Sequence, residues 1–344
     1  MEWESTGEEP PRHPDASAML ARLYQEGVTA LYHFTSIDNL PSICERGFLY
    51  SKDLLSQIGI LEFVDCGGNE LSLSLDKRND NWDKVSLSFS PYTPMAYHAK
   101  RQKHLCYFCV SPEIATLQGV IFTDTNANRS NHRRGVGLSG LDLVDFRIIR
   151  SLARADKETW KRSIQAEVLI PRQVPLSFVQ RIVFVSQASM GEAQRLCHHL
   201  AHPPFQVDKR LFADSPGAPQ GHILFPYVEH LHFFAEAHPV SSMLYLDQEV
   251  KNIYSRSAHQ LLRVVLTVRL IPGTEITLTL YRQDQPGQGP VWEQQQPPSF
   301  VLNFRRFYQM NYTISTKELQ PGRYLLECYL DKVRRASYLF DLSA

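Results

Sequence analysis

Apolar and polar positions change period several times along this chain, and each change predicts an element. Ala16–Gln25 repeats its apolar residues at helical spacing. Leu31–Ser51 (LYHFTSIDNLPSICERGFLYS) then compresses a strand, a polar turn and a short helix into one segment. The strand residues Leu31, Tyr32 and Phe34 carry His33 and Thr35 into the turn. Asp38 is placed to cap the helix, Pro41 falls in its first turn, and Gly47 supplies a left-handed stop. Leu40, Ile43 and Cys44 share one helical face. A polar pair at a strand end, above a helix start, suits a phosphate-bearing ligand.

Val85–Ser90 (VSLSFS) alternates strictly and predicts a strand with one apolar face. Pro91 and Pro94 break it before a helix near Met95. Leu105–Val110, Gly119–Phe122, Ile164–Ile170 and Ile182–Ser186 read as further strands, and Ser189–Leu200 as a helix. Asp53–Glu70 is less regular, and Asp124–Gly140, rich in Asn, Arg and Gly, predicts a long mobile surface loop. The text changes at His202–Gly221, the expected domain boundary. Beyond it Leu261–Leu270, Glu275–Arg282, Ser299–Phe304, Asn311–Ser315, Arg323–Leu330 and Ala336–Leu342 alternate between turn-rich stretches. The expectation is an α+β domain over 16–214 after a disordered tail, 1–15. A small antiparallel β-sandwich, immunoglobulin-like but without a Cys…Trp…Cys arrangement, is expected over 215–344.

Composition adds bounds. A length of 344 residues favours two domains, and 43% hydrophobic with 21% charged residues is ordinary globular usage. No apolar run approaches a membrane span. The start, MEWESTGEEPPRHPDAS, is acidic and Pro-rich, opposite to a secretory signal, so a cytoplasmic location is expected. Charge balances at 36 against 36, which gives no global case for nucleic acid. Two local runs, HAKRQKH (98–104) and NRSNHRR (128–134), read either as solvated faces or as a groove that tracks phosphates. Arg129, Arg133 and Arg134 are the candidates for the second reading. Cysteines stand at 44, 66, 106, 109, 197 and 328. Cys106 and Cys109 form a CxxC inside a strand-like run with no second pair, and His98 and His104 complete no zinc spacing, so core thiols are expected rather than a metal site.

Chemistry concentrates at two residues. In RSIQAEVLIP, Glu167 stands mid-strand between Ala166 and Val168, which is costly unless it has partners or faces a cleft. His33 stands at a strand end in YHFTSIDNL. No Walker loop, GxSxG elbow, HExxH or GxGxxG is present.

Three blocks in order, HFTSIDNL, SFSPYTPMAY and QAEVL, resemble the DarT family of NAD-dependent nucleic-acid ADP-ribosyltransferases over about residues 28–212. The resemblance implies an ADP-ribosyltransferase-like split mixed β-core with flanking helices and an NAD cleft between the halves. It implies that His33 hydrogen-bonds NAD, that Thr35 and Asn39 add polar contacts, and that Tyr97 stacks on nicotinamide or lines the pocket. Glu167 would hold a ribose hydroxyl and stabilise the cationic centre formed as nicotinamide leaves. Arg78, in LSLDKRNDNWDK, would bind NAD phosphate or polarise the acceptor base. No metal is implied, because the nicotinamide leaving group already activates the bond. The implied activity is ADP-ribosyl transfer to a base of single-stranded nucleic acid, with thymidine in DNA favoured and RNA bases, protein side chains or a non-catalytic binding module as alternatives. A toxin or phage-defence role is implied, with an antitoxin or regulatory partner docking on 222–344. The Asn- and Arg-rich 124–140 loop and the extra β-rich domain depart from the family pattern.

Overall fold

The computed structural model describes residues 11–63, 76–150, 156–215, 223–235, 253–255, 261–296 and 307–344. Cys66 and the expected strand Ser299–Phe304 lie outside them. The chain forms two compact units, the first 1–100, 105–184 and 196–220, the second 101–104, 185–195 and 221–344.

The first unit is built on β1 (Leu31–Ser36), β2 (Phe48–Tyr50), β3 (Lys84–Ser88), β4 (Leu105–Val110), β5 (Ile121–Thr123), β6 (Arg134–Val136), β7 (Glu167–Pro171), β8 (Gln173–Pro175), β9 (Val179–Phe184) and β10 (Phe205–Val207). β2 and β8 pair separately; the rest form a mixed sheet in the order β10-β9-β4-β1-β3-β7-β5-β6. β4, LCYFCV, is buried along its whole length, as an apolar run without alternation requires. Cys106 and Cys109 are therefore core thiols, and burial pushes the Cys109 thiol up to about 11.

The sheet is split at its centre. β1 runs beside β4 for six consecutive residues, but Tyr32 with Ser88 is the one register pair between β1 and β3 among the described residues. Past that point the ladder opens. One backbone group exposed by the opening, the Ser86 carbonyl, accepts instead from His33 Nδ1 at 3.1 Å.

Several local expectations are corrected. Asp38 does not cap the helix Leu40–Arg46; a 3-10 turn Ile37–Asn39 precedes it, and Asp38 accepts from the Ser36 hydroxyl. Pro41 and Gly47 behave as read, Gly47 at φ 78°. Glu167 opens β7 rather than standing mid-strand, because the helix Lys157–Ser163, capped by the Asp156 carboxylate on the Glu158 and Thr159 N–H groups, occupies the chain up to there. Residues 124–140 are not a free loop: β6 and the helix Gly137–Leu141 take its second half, and β6 pairs with β5. Pro11–Asp15, assigned to the tail, lie against 116–118, with His13 N–H on the Thr116 carbonyl at 2.8 Å and Gln118 N–H on the Pro11 carbonyl at 2.8 Å.

The second unit holds β11 (Tyr227–Ala235), β12 (Ile253–Ser255), β13 (Leu261–Arg269), β14 (Ile276–Arg282), β15 (Trp292–Gln296), β16 (Phe307–Ser315), β17 (Gly322–Leu330) and β18 (Val333–Ser343). They form a three-stranded sheet, β11-β13-β16, and a five-stranded sheet, β12-β18-β17-β14-β15. Val264 and Leu266 of one sheet share a core with Leu278, Leu326 and Phe340 of the other. Pairing is antiparallel except at the edge, where β12 runs parallel to β18. The expected segments in 261–282 and 323–342 coincide with strands, whereas β11, β12 and β15 show too little alternation to be read from sequence.

Candidate functional site

The opening between β1 and β3 is a cleft whose water-accessible space is about 220 Å³. One wall comes from β1 and the following turn, with His33, Thr35 and Asn39. The facing wall comes from β3, β7 and the turn after β5, with Ser86, Glu167, Asn126, Ala127 and Asn128. Phe48 and Tyr50 of β2, stacked on each other at 5.7 Å, line the cleft beside Lys52.

His33 is half-buried, and loss of solvation in the cleft wall holds its imidazole below the usual histidine range. A carbonyl can only accept, so the Nδ1 bonded to Ser86 carries the proton and Nε2 is left as an acceptor. Asn39 Nδ2 donates to the Thr35 hydroxyl at 2.8 Å, which leaves the Thr35 O–H to donate elsewhere.

Glu167 is 7% exposed. Its Oε1 accepts from Asn126 Nδ2 at 3.2 Å and its Oε2 from the Ala127 N–H at 2.9 Å, while its own N–H donates to the Thr123 hydroxyl at 3.1 Å. Burial pushes this carboxyl up to about 7, against the Ala127 and Ser86 hydrogen bonds, and the Asp76 carboxylate adds to the rise while Lys52 opposes it. The carboxyl is thus poised between acid and base near neutrality. Lys52 is ion-paired with Asp76, whose other oxygen accepts from Asn128 Nδ2 at 2.7 Å.

Four of the residues read from sequence, His33, Thr35, Asn39 and Glu167, converge on this cleft; five do not line it. Arg78 is exposed and sits two residues past Asp76 in a helical turn. Two residues turn a helix by about 200°, so the side chain that reaches the cleft is Asp76. The same geometry removes Tyr97: Met95 lines the cleft and Tyr97 turns toward His98, at 5.4 Å between rings. Arg129, Arg133 and Arg134 are exposed on the segment that continues from Asn128. Arg133 is tied to Asp124, its N–H at 2.8 Å and its Nε at 3.1 Å. Sequence reasoning missed Lys52, Asp76, Asn81, Asn126 and Asn128. The run DTNAN was visible as Asn-rich, but nothing in it announced a partner 41 residues on. Among the described residues no group of three His, Cys, Asp or Glu side chains is set to hold a metal ion.

A half-buried acceptor imidazole facing a buried carboxylate can hold a hydroxyl-rich, cationic ligand between them. The family model for the ssDNA thymidine ADP-ribosyltransferase DarT matches residues 32–212. The chain belongs to the DarT family. A curated relative, the DNA ADP-ribosyl transferase–DNA ADP-ribosyl glycohydrolase fusion protein of Thermosipho africanus (strain H17ap60334), is 30% identical over 171 residues. That match takes in 44% of this chain and 41% of the fusion protein, so the chain spans less than half of the relative's length. Among solved structures, Thermus sp. 2.9 DarT in complex with NAD+ aligns over 54% of this chain and 97% of its own, at 20% identity and a TM-score of 0.43. Thermosipho africanus DarTG in complex with ADP-ribose aligns over 54% and 51%, at 22% identity and a TM-score of 0.43.

Proposed function

We propose that this DarT-family chain is an NAD-dependent mono-ADP-ribosyltransferase that moves ADP-ribose from NAD to a base of single-stranded DNA, with thymidine the favoured acceptor. One observation carries the reading: His33 and Glu167, 134 residues apart by their numbers (167 − 33), meet across a single cleft at the split of the sheet. Membership of a family described as ssDNA thymidine ADP-ribosyltransferase supports it.

NAD supplies a cationic leaving group on a ribose carbon, and the rest of the work falls to side chains. His33 Nε2 accepts from a ribose hydroxyl. Glu167, when ionised, accepts from a hydroxyl of the ribose that carries nicotinamide and stabilises positive charge on the sugar as the glycosidic bond breaks. The electron pair of that bond stays with nicotinamide, and the acceptor base bonds to the ribose carbon as its ring N–H gives up its proton to solvent. Lys52, half-buried at the cleft beside Asp76, fits a phosphate oxygen of NAD. An unpaired strand suits the site because its base reaches a cleft without opening a duplex. Exposed Arg129, Arg133 and Arg134 are offered as its phosphate contacts.

The decisive assay incubates the purified chain with labelled NAD and separate pools of single-stranded DNA, RNA and protein. Label in DNA, lost in Glu167→Ala, is the expected result; label in RNA or protein alone sinks the acceptor assignment. No label anywhere, with Glu167→Ala matching the wild type, sinks the enzymatic reading in favour of a binding module. An enzyme that modifies nucleic-acid bases damages its own host, so we further propose a toxin or phage-defence setting in the cytoplasm. A neutralising or regulatory partner would dock on the β-rich residues 222–344, read as an immunoglobulin-like sandwich.

A further inference from the structure

Both oxygens of Glu167 are held by one short segment, and that segment is itself held from three sides. Asn126 Nδ2 and the Ala127 N–H grip the carboxylate at 3.2 and 2.9 Å. The Ala127 carbonyl accepts from Asn81 Nδ2 at 3.3 Å, so both backbone polar groups of Ala127 are used. Asn126 Oδ1 accepts from the Asn128 N–H at 3.0 Å, which fixes the side-chain amide with its NH2 turned toward the carboxylate. Asn128 in turn donates to Asp76 at 2.7 Å, and Asp76 pairs with Lys52. From outside, the Asp124 carboxylate is clamped by Arg133 Nε at 3.1 Å and by an Arg162 NH2 group at 2.9 Å.

We propose that Asn126 is a positioning residue for Glu167: its amide aims the carboxylate into the cleft and favours its ionised form, and the Asp124–Arg162 clamp keeps Asn126 in place. The proposal rests on the transferase reading above. The physical ground is the sign of the interaction. An amide NH2 is a donor only, so it favours the carboxylate over the acid, in a buried site where ionisation is otherwise penalised. The charged groups that act on Glu167, Asp76 and Lys52, oppose each other and are already paired, leaving the neutral donors, Asn126 together with the Ala127 N–H and the Ser86 hydroxyl of β3, to set the balance.

The test titrates Glu167 directly by carbon-13 NMR of the glutamate-labelled 344-residue chain, with Glu167→Gln assigning the resonance. In parallel, nicotinamide release is followed against pH with NAD and an oligothymidylate. Asn126→Ala is expected to move both the NMR midpoint and the ascending limb of kcat/KM up by about one pH unit, the worth of one hydrogen bond to a charge. The KM for NAD should stay within about twofold, because an effect confined to the carboxylate leaves uniform binding intact. Asn126→Asp, nearly isosteric, puts a like charge beside Glu167 and should move the midpoint further. Arg162→Gln, which touches neither Asn126 nor Glu167, should move it in the same direction by less. Midpoints in Asn126→Ala and Asn126→Asp that coincide with the wild type would overturn the proposal. A wild-type protein that releases no nicotinamide refutes the transferase reading alone, since the NMR midpoints still decide whether Asn126 holds the carboxylate.

Discussion

At the scale of single residues the site depends on two poorly solvated groups with opposite pKa shifts. Desolvation lowers the His33 pKa, and the Ser86 carbonyl, which can only accept, fixes the tautomer of the neutral ring. Burial pushes Glu167 up to about 7, so its ionised form, the one the proposed transfer requires, fills in over the physiological range. The kcat/KM for NAD should therefore rise with pH through an ascending limb near 7. The limb on kcat should lie lower, because the cationic nicotinamide of bound NAD favours the carboxylate. A kcat limb equal to or above the kcat/KM limb would contradict this placement of the carboxylate. Stability has the opposite dependence. The folded protein keeps the Glu167 proton up to about 7, while the unfolded chain loses it near 4.5. Below both values the group has no effect; between them stability falls as pH rises; above 7 the full burial penalty remains, about 3 kcal/mol. Glu167→Gln, which mimics the protonated acid, should match the wild type near pH 4 and be the more stable protein at pH 8. Denaturant titrations at the two pH values check both halves of that statement.

At the scale of elements, what was legible in the sequence is what local periodicity controls. VSLSFS became β3 because alternation alone specifies a one-faced strand, and Val85 and Leu87 are buried as it requires. Gly47 stops its helix in the left-handed conformation a glycine adopts most cheaply. The segment 124–140 was misread because its order is imposed from outside, through Glu167 and Arg162, and neither partner is near in sequence. Its hairpin closes through β6, whose Gly135 meets Gly140 of the next helix so closely that a Cβ on Gly140 would sit 2.3 Å from the Gly135 carbonyl carbon. Gly140→Ala must push β6 away from that helix. It should cost more than about 2 kcal/mol, beyond the usual overpacking of a surface site. Because β6 closes the segment that carries Asn126, transfer activity in the surviving folded fraction should fall as well. A variant that melts like the wild type would show that the hairpin yields without strain.

At the scale of the whole molecule, the three sequence blocks gave the cleft but not the boundary. The cleft is legible because β1, β3 and β7 each carry a compact motif, and topology places them side by side. The boundary is not, because 101–104 and 185–195 group with the second unit, so no single cut near 214 separates the two. The helix Gln187–Leu196, which leads from β9 to its parallel neighbour β10, explains why. Its Glu192 carboxylate, fully buried, pairs with Arg334 at 3.1 Å, and Arg195 donates to the Ser337 hydroxyl at 2.7 Å. His104, also buried, bonds Ser189 of the same helix at 2.8 Å. A chain ending at residue 215 therefore keeps every cleft residue, all of which fall between Tyr32 and Leu169, but removes the partners that hold this helix. Such a chain should bind NAD at low temperature with an affinity within a few-fold of the 344-residue chain. It should also melt several degrees earlier and show less helix by circular dichroism, because a helix this short is marginal in water without tertiary partners. Calorimetry of NAD binding and thermal melts on the two lengths separate these effects. Equal melting temperatures would mean that the helix is held by the first unit alone, and lost NAD binding would mean that the cleft needs the second unit to form.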